Sequence, residues 1–317
     1  MKAAIVTEKG IKPSYGTFTE PVADEENVVV KVSAVALSNL TKMRALGNHY
    51  SAGHVYPNVA GTDGVGTVDG KRVYFLATNA PYGSLAEETL VNQHLILPLP
   101  DGIDDVTAAA IANPGMSSWA ALVSRAHFEK GQTVLINGAT GVAGSLAVKI
   151  AYHLGAKKVI VTGRNAEKLD KLGADVAIAF DMSNTDGADK FTNDLAEQFK
   201  AGVDVVLDYL WGDSALAIMK SVAQFGGHVV TRFVSIGAAA GQADITLPSA
   251  FLRSSAIEIL GSGVKSATME QLMSAISGVF KWAADEKIVL PTNVFDLADI
   301  EQAWSAPSNP RTVVKVQ

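Results

Sequence analysis

The feature that most constrains this chain is an apolar strand running through a glycine-rich turn into a helix. Thr133-Val134-Leu135-Ile136-Asn137 reads as a strand, and Gly138-Ala139-Thr140-Gly141-Val142-Ala143-Gly144 follows it. A helical pattern starts near Gly141, with Ala143, Ala147, Ile150, Ala151 and Leu154 on one face at the 3.6-residue period. The same alternation continues downstream. Val159–Thr162, Val176–Ala179, Val203–Leu207, Val229–Val234 and Ile257–Leu260 are short apolar strands with helical segments between them. Continuous apolar runs are what strands buried on both faces require. Most of the six strands are such runs, and six strands with intervening helices predict a doubly wound parallel sheet of the Rossmann type.

Before residue 100 the signals differ. Met1–Val6 is a short apolar strand, too short for a signal-peptide core. Val28–Val32 is β-branched, glycines punctuate residues 61–70, and Arg72–Leu76 is a further strand. This predicts an irregular, mainly antiparallel β domain. After a helix at about 268–285 the tail ends in a strand, Thr312–Val316. That strand cannot easily extend a completed six-stranded sheet, so it is returned to the first domain. The expected division is residues 1–114 completed by 264–317, with 115–263 inserted as the dinucleotide-binding domain.

Composition excludes several functions. Of the 317 residues 48% are hydrophobic and 18% charged, which demands a sizeable core rather than disorder. The net charge is −6 and basic residues are scattered, so nucleic acid is not an expected partner. There are no cysteines, which removes disulfides, thiolate zinc sites and a cysteine nucleophile together. No stretch reaches the ~20 apolar residues of a membrane span, and a cytoplasmic location is expected.

A turn between a strand and a helix N-terminus offers backbone N–H groups and a positive dipole end to an anion. Glycines there let the backbone turn tightly and let a phosphate approach closely. Gly138, Ala139, Thr140, Gly141 and Val142 are therefore expected to hold the pyrophosphate of a nicotinamide dinucleotide. Sites selective for NAD place an acid about twenty residues later, on the ribose 2′-hydroxyl. Here the sequence reads Gly163-Arg164-Asn165-Ala166-Glu167-Lys168, with no carboxylate at the strand end. Arg164 and Lys168 can clamp a 2′-phosphate, although they also read as solvated charges on a helix's first turn, where cations are mildly disfavoured. The missing acid and the added bases together point to NADP(H). Asp208-Tyr209-Leu210-Trp211-Gly212 follows the fourth strand at the carboxyl edge, where ligands bind. Asp208 and Tyr209 are candidates for the cofactor site, and Tyr209 and Trp211 either wall the cofactor or substrate cleft or are packed aromatics. Gly237, Gly261 and Gly263 follow later strands and would let backbone approach the nicotinamide.

With these elements in place, the chain resembles the medium-chain dehydrogenase/reductase superfamily, and more narrowly its zinc-free quinone oxidoreductase branch. The resemblance spans nearly the whole length. It is carried by Met1-Lys2-Ala3-Ala4, Gly61-Thr62-Asp63-Gly64-Val65-Gly66, Lys71-Arg72-Val73, Gly83-Ser84-Leu85-Ala86-Glu87, Gly115-Met116-Ser117-Ser118-Trp119, Val134–Gly141 and Thr312-Val313-Val314-Lys315. It implies a GroES-like catalytic domain built from both chain ends, and a homodimer paired along Ile257–Leu260. Zinc-dependent members would place their catalytic ligands at Asn39, Thr62 and Asn113. Amide and hydroxyl groups are poor zinc ligands, so no metal is expected.

The same resemblance supplies catalytic candidates. Asn39 occupies the asparagine of the branch's Asn-x-x-Asp stretch, while Lys42 stands at the acidic position. Tyr50, in Gly47-Asn48-His49-Tyr50, matches a tyrosine near the nicotinamide and can hydrogen-bond or protonate a substrate oxygen; equally it reads as a packed loop tyrosine. Ser117 matches a hydroxyl contact to the nicotinamide, and a serine in a helix's first turn is just as often a cap. His49 and His54 are tempting as acid/base groups because histidine titrates near neutrality, but no carboxylate lies at a telling spacing.

Without a Lewis acid a simple ketone is a hard hydride acceptor. A conjugated oxygen spreads the developing charge, so hydrogen-bond donors suffice. The expected activity is NADPH-dependent hydride transfer to a quinone, enone or enal. The alternatives are a metal-independent alcohol dehydrogenase and a non-catalytic NADPH-binding protein.

Overall fold

The computed structural model describes residues 1–49, 52, 55–227 and 229–316. The chain forms two compact units, Met1–Asn113 with Ile276–Gln317, and Pro114–Ala275.

In the first unit β1 (Lys2–Val6) lies between β2 (Ser14–Thr17) and β4 (Asn58–Val59) in a small antiparallel sheet. The larger sheet is organised on β3 (Asn27–Ala36). It pairs antiparallel with β5 (Asp63–Val68), which continues through β6 (Lys71–Leu76) to β8 (Ile96–Pro98), while β7 (Glu88–Asn92) pairs with the first half of β3. Val30, Val32 and Val35 of β3 are buried with Phe75, Leu85 and Trp304. Each such side chain contributes about 1.5–3 kcal/mol by leaving water. Helix α1 (Asn39–Ala45) is capped by the Ser38 hydroxyl, and α2 (Asp105–Ala120) includes the point, at Pro114, where the chain passes from the first unit to the second.

In the second unit the strands are β9 (Thr133–Asn137), β10 (Lys158–Gly163), β11 (Val176–Ala179), β12 (Val205–Asp208), β13 (Thr231–Ser235) and β14 (Ile257–Gly261). All pair in parallel, in the order β11-β10-β9-β12-β13-β14. This is the doubly wound arrangement predicted from the apolar runs, with its reversal point between β9 and β12. Val134, Leu135 and Ile136 are fully buried, as are Val205, Val206 and Leu207. Two strands start later than their apolar runs. Val229 and Val230 lead into β13 but lie exposed outside its ladder, and Val203 is buried ahead of β12.

The tail strand is β16 (Arg311–Lys315), which pairs antiparallel with β3 and so rejoins the first sheet as expected. Its other neighbour, β15 (Thr292–Asp296), runs parallel to it and carries no clear alternation in the sequence. Among the described residues no helix is long and apolar enough to cross a membrane.

Candidate functional site

The glycine turn joins β9 to α3 (Val142–His153) at the carboxyl edge of the parallel sheet, beside its reversal point. Each glycine has a distinct job. Gly138 has φ +88°, a conformation that favours glycine. At Gly144 a Cβ would lie 2.5 Å from the Gly138 carbonyl oxygen, so helix and turn touch only because the side chain is absent. At Gly141 a Cβ would meet nothing in the protein closer than 3.7 Å. The space there is kept open toward the outside rather than toward the fold.

The amides of Gly138 and Ala139 are already spent, since both donate to the Thr162 carbonyl at 2.9 and 3.1 Å. The first turn of α3 is different. Gly141 caps it without a side-chain acceptor, and Ser145 is the first residue whose N–H bonds back to the Gly141 carbonyl. The N–H groups of Val142, Ala143 and Gly144 therefore point out of the helix end with no acceptor in the helix. Gly138 and Ala139 shape the turn, and these three amides are the ones left to donate to an anion.

β10 ends in Gly163 on the same sheet edge, and Arg164 and Asn165 lead into α4 (Ala166–Asp170). The Asn165 side chain caps α4 by accepting from the Lys168 amide at 2.9 Å. Arg164 and Lys168 are exposed, and neither side chain makes a hydrogen bond among the described residues. The Arg164 charge reaches Asp181. Its carboxylate is held below the ordinary range first by the Ser183 hydroxyl and backbone, and more weakly by the Arg164 charge.

Asp208 and Asn137 tie the central strand ends together. The Asn137 amide donates to Asp208 at 2.8 Å and to the Ser214 hydroxyl at 3.0 Å, while Thr162 donates to Asn137 at 2.7 Å. Asp208 also accepts from the Leu210 and Trp211 amides at 3.2 and 3.0 Å. Burial pushes its pKa up to about 6 against these hydrogen bonds. Trp211 sits at φ +60°, a strained conformation for a bulky residue that the two amide contacts to Asp208 hold in place. Tyr209 is buried, its hydroxyl 2.7 Å from that of Ser118, and burial raises its pKa. At Gly237 a Cβ would lie 2.9 Å from the Tyr209 carbonyl oxygen. The Gly261 carbonyl accepts from Arg125 at 2.7 Å, and the Gly263 amide donates to the Ser266 hydroxyl at 2.6 Å.

Ser117 is not in a helix's first turn. It lies in the later part of α2, just past Pro114, and its hydroxyl donates to the Pro114 carbonyl at 2.9 Å. The α2 segment was not evident as one helix because Pro114 interrupts it. Ala108–Ala112 are buried on every face and leave no period to read.

In the first unit Asn39 is exposed at the start of α1. Tyr50 and His54 lie outside the described residues. His49 is pushed below the ordinary histidine range by burial and by the Arg44 charge, which favours its neutral form. Lys42 lies over the Trp304 ring and donates to the Trp304 carbonyl at 2.7 Å. That contact is a structural use for a lysine at an otherwise acidic position.

Sequence reasoning missed a buried charged cluster in this unit. Asp63, 5% exposed, accepts from the Thr62 hydroxyl at 2.7 Å and the Tyr74 hydroxyl at 2.9 Å. Burial raises its pKa despite those bonds and despite the charges of Arg311 and Arg44. The Arg311 guanidinium is also buried, and its Nε and Nη2 have no hydrogen-bond partner among the described residues. Asp63 was visible only as part of a glycine-rich run. Nothing in the sequence connects it to Arg311, 248 positions away (311 minus 63).

Zinc does not fit the residues present. Asn39, Thr62 and Asn113 offer amides and a hydroxyl, and the Thr62 hydroxyl donates to Asp63. Among the described residues no three histidine, cysteine, aspartate or glutamate side chains converge.

Residues 142–278 match the family model described as zinc-binding dehydrogenase. A probable NADPH-dependent quinone reductase of Emericella nidulans is 27% identical, over 96% of both chains. The chloroplastic NADPH-dependent alkenal/one oxidoreductase of Arabidopsis thaliana is 34% identical over 73% of this chain, and the match spans 62% of that protein's length. The quinone oxidoreductase of Thermus thermophilus, studied also as its complex with NADPH, superposes over the full length of both chains with a TM-score of 0.79 at 27% identity.

Proposed function

This chain belongs to the medium-chain dehydrogenase/reductase superfamily, in its quinone oxidoreductase-like branch, and from that premise we propose that it is an NADPH-dependent, metal-independent reductase of quinones or α,β-unsaturated carbonyls. The observation that carries the reading is the edge of the parallel sheet. It holds a glycine-shaped helix end for the pyrophosphate, and two cations without partners among the described residues where an acid would select NAD.

When bound, the reduced nicotinamide supplies a hydride. The remaining work falls to the protein. The amides of Val142, Ala143 and Gly144 hold the pyrophosphate, Arg164 and Lys168 hold the 2′-phosphate, and Gly163 and Asn165 shape the segment that presents them. Gly237, Gly261 and Gly263 leave room for the nicotinamide, Ser117 offers it a hydroxyl, and Tyr209 and Asp208 fix the adjoining strand end. In an enone the hydride enters the β-carbon and the carbonyl oxygen takes the charge. One proton on that oxygen then gives the enol, which tautomerises to the saturated ketone. Tyr50 and Asn39 are the proposed donors to that oxygen, with Tyr50 holding the proton. The side chains at 39, 62 and 113 supply no Lewis acid, and for that reason the acceptor is conjugated.

We extend the proposal to a homodimer paired along β14. That strand is the last of its sheet, and Ile259 on it is exposed. Unpaired edge strands of this kind invite pairing with a second copy.

Arg164→Ala tests the phosphate assignment. It is expected to weaken NADPH by roughly tenfold or more, the value of one charge-assisted hydrogen bond, while leaving NADH nearly unchanged. Titration of both cofactors by fluorescence reads the difference. Equal losses for the two would remove Arg164 from the 2′-phosphate.

A further inference from the structure

The first unit contains a cavity of about 90 Å³, room for a compact group of a few heavy atoms rather than a whole ring system. Its polar lining comes from Arg44, Asn58, Thr62, Thr78 and Tyr82. Four of these five side chains already have partners. Asn58 donates to the Val55 carbonyl at 2.5 Å, Thr62 to Asp63, Thr78 to the Gly61 carbonyl at 3.4 Å and Tyr82 to the Glu20 carbonyl at 3.3 Å. The Arg44 guanidinium makes no hydrogen bond or ion pair among the described residues.

Charge counting points the same way. One buried carboxylate, Asp63, lies within electrostatic reach of two guanidiniums, Arg44 and Arg311. Arg311 is the more deeply buried and offsets that carboxylate; Lys42 is turned onto Trp304. The Arg44 charge is left in excess, half-buried and facing the cavity. A half-buried guanidinium that makes no ion-pair contact is costly to keep, and its planar fork matches a carboxylate.

We propose that this cavity binds a small molecule bearing a carboxylate, held through Arg44. The anion site does not depend on the reductase reading above; that reading only supplies the acidic enone used as the probe.

The test compares 4-oxopent-2-enoate, a carboxylate-bearing enone, with its methyl ester, using calorimetry on the full chain in the presence of NADP⁺. The acid is expected to bind roughly tenfold tighter than the ester, as one charge-assisted hydrogen bond allows. Arg44→Gln should bring the ratio close to one, and Arg44→Lys, which keeps the charge, should retain part of it. In the unaltered protein, added acetate should compete with the acid and not with the ester, a result that depends on no variant. Equal binding of acid and ester would overturn the proposal. So would an Arg44→Gln variant that loses affinity for NADPH with the acid-to-ester ratio unchanged, because the charge would then serve the cofactor. If the acid binds tightly through Arg44 yet no acceptor oxidises NADPH, the reductase reading fails and the anion site stands.

Discussion

Gly144→Ala is expected to cost roughly 100-fold in NADPH affinity and to destabilise the fold, whereas Gly141→Ala should leave the fold intact. The difference lies in what each new methyl group would meet. At position 144 it would lie 2.5 Å from the Gly138 oxygen and 2.7 Å from the Ala139 Cα, both backbone atoms that cannot rotate away. α3 must then lift from the turn, at an overpacking cost of about 1–3 kcal/mol. A displaced helix end also forfeits hydrogen bonds to a charged phosphate, each worth about 1.5–3 kcal/mol, which is the source of the affinity loss. At position 141 the backbone has φ −77°, ordinary for any residue, and the nearest protein atom is 3.7 Å away. A loss of NADPH affinity in Gly141→Ala at unchanged urea midpoint would place the methyl group against the ligand itself. If Gly144→Ala kept both stability and affinity, the helix end would not be the pyrophosphate cradle.

The second large effect is expected at Asp63. Removing its carboxylate leaves the buried Arg311 guanidinium without its nearby negative charge, and two of its nitrogens already lack partners among the described residues. It also strands the Tyr74 hydroxyl, which donates to Asp63 from a fully buried ring. Asp63 and Arg311 make no ion-pair contact among the described residues, so the cost is set by the lost buried hydrogen bonds to the carboxylate, about 1.5–3 kcal/mol. Asp63→Ala should therefore lower the free energy of unfolding by that amount in urea titrations. Adding Arg311→Met should recover part of the loss, because the apolar side chain no longer needs a counter-charge. Losses that simply add in the double variant would mean the two residues act independently.

The fold was legible where burial leaves a signature in composition. The central strands β10, β9 and β12 are buried almost throughout, so each is a mainly apolar run that is easily found, whereas the edge strands β11 and β14 are half-exposed. Where the signature is shared, boundaries slip. Val203, Val229 and Val230 are as apolar as the strands they precede, yet lie outside the hydrogen-bonded ladder. α2 was hidden by uniform burial and by Pro114, and β15 by its short, half-exposed pattern. The glycine turn stood out because strand, glycines and helix adjoin in sequence. The Asp63, Arg311 and Arg44 cluster did not, because only the pairing of β3 with β5 and β16 brings its members into one unit. Ser117 shows the limit of borrowing a local role by pattern: its hydroxyl is bonded back to Pro114 inside a helix that was not anticipated.

The central claim is tested most directly by mixing the protein with NADPH and following loss of the reduced nicotinamide absorbance over quinones, enals, enones and simple ketones. The account predicts oxidation with conjugated acceptors and none above background with simple ketones. Tight NADPH binding with no oxidation by any acceptor, or oxidation confined to simple ketones, would contradict it.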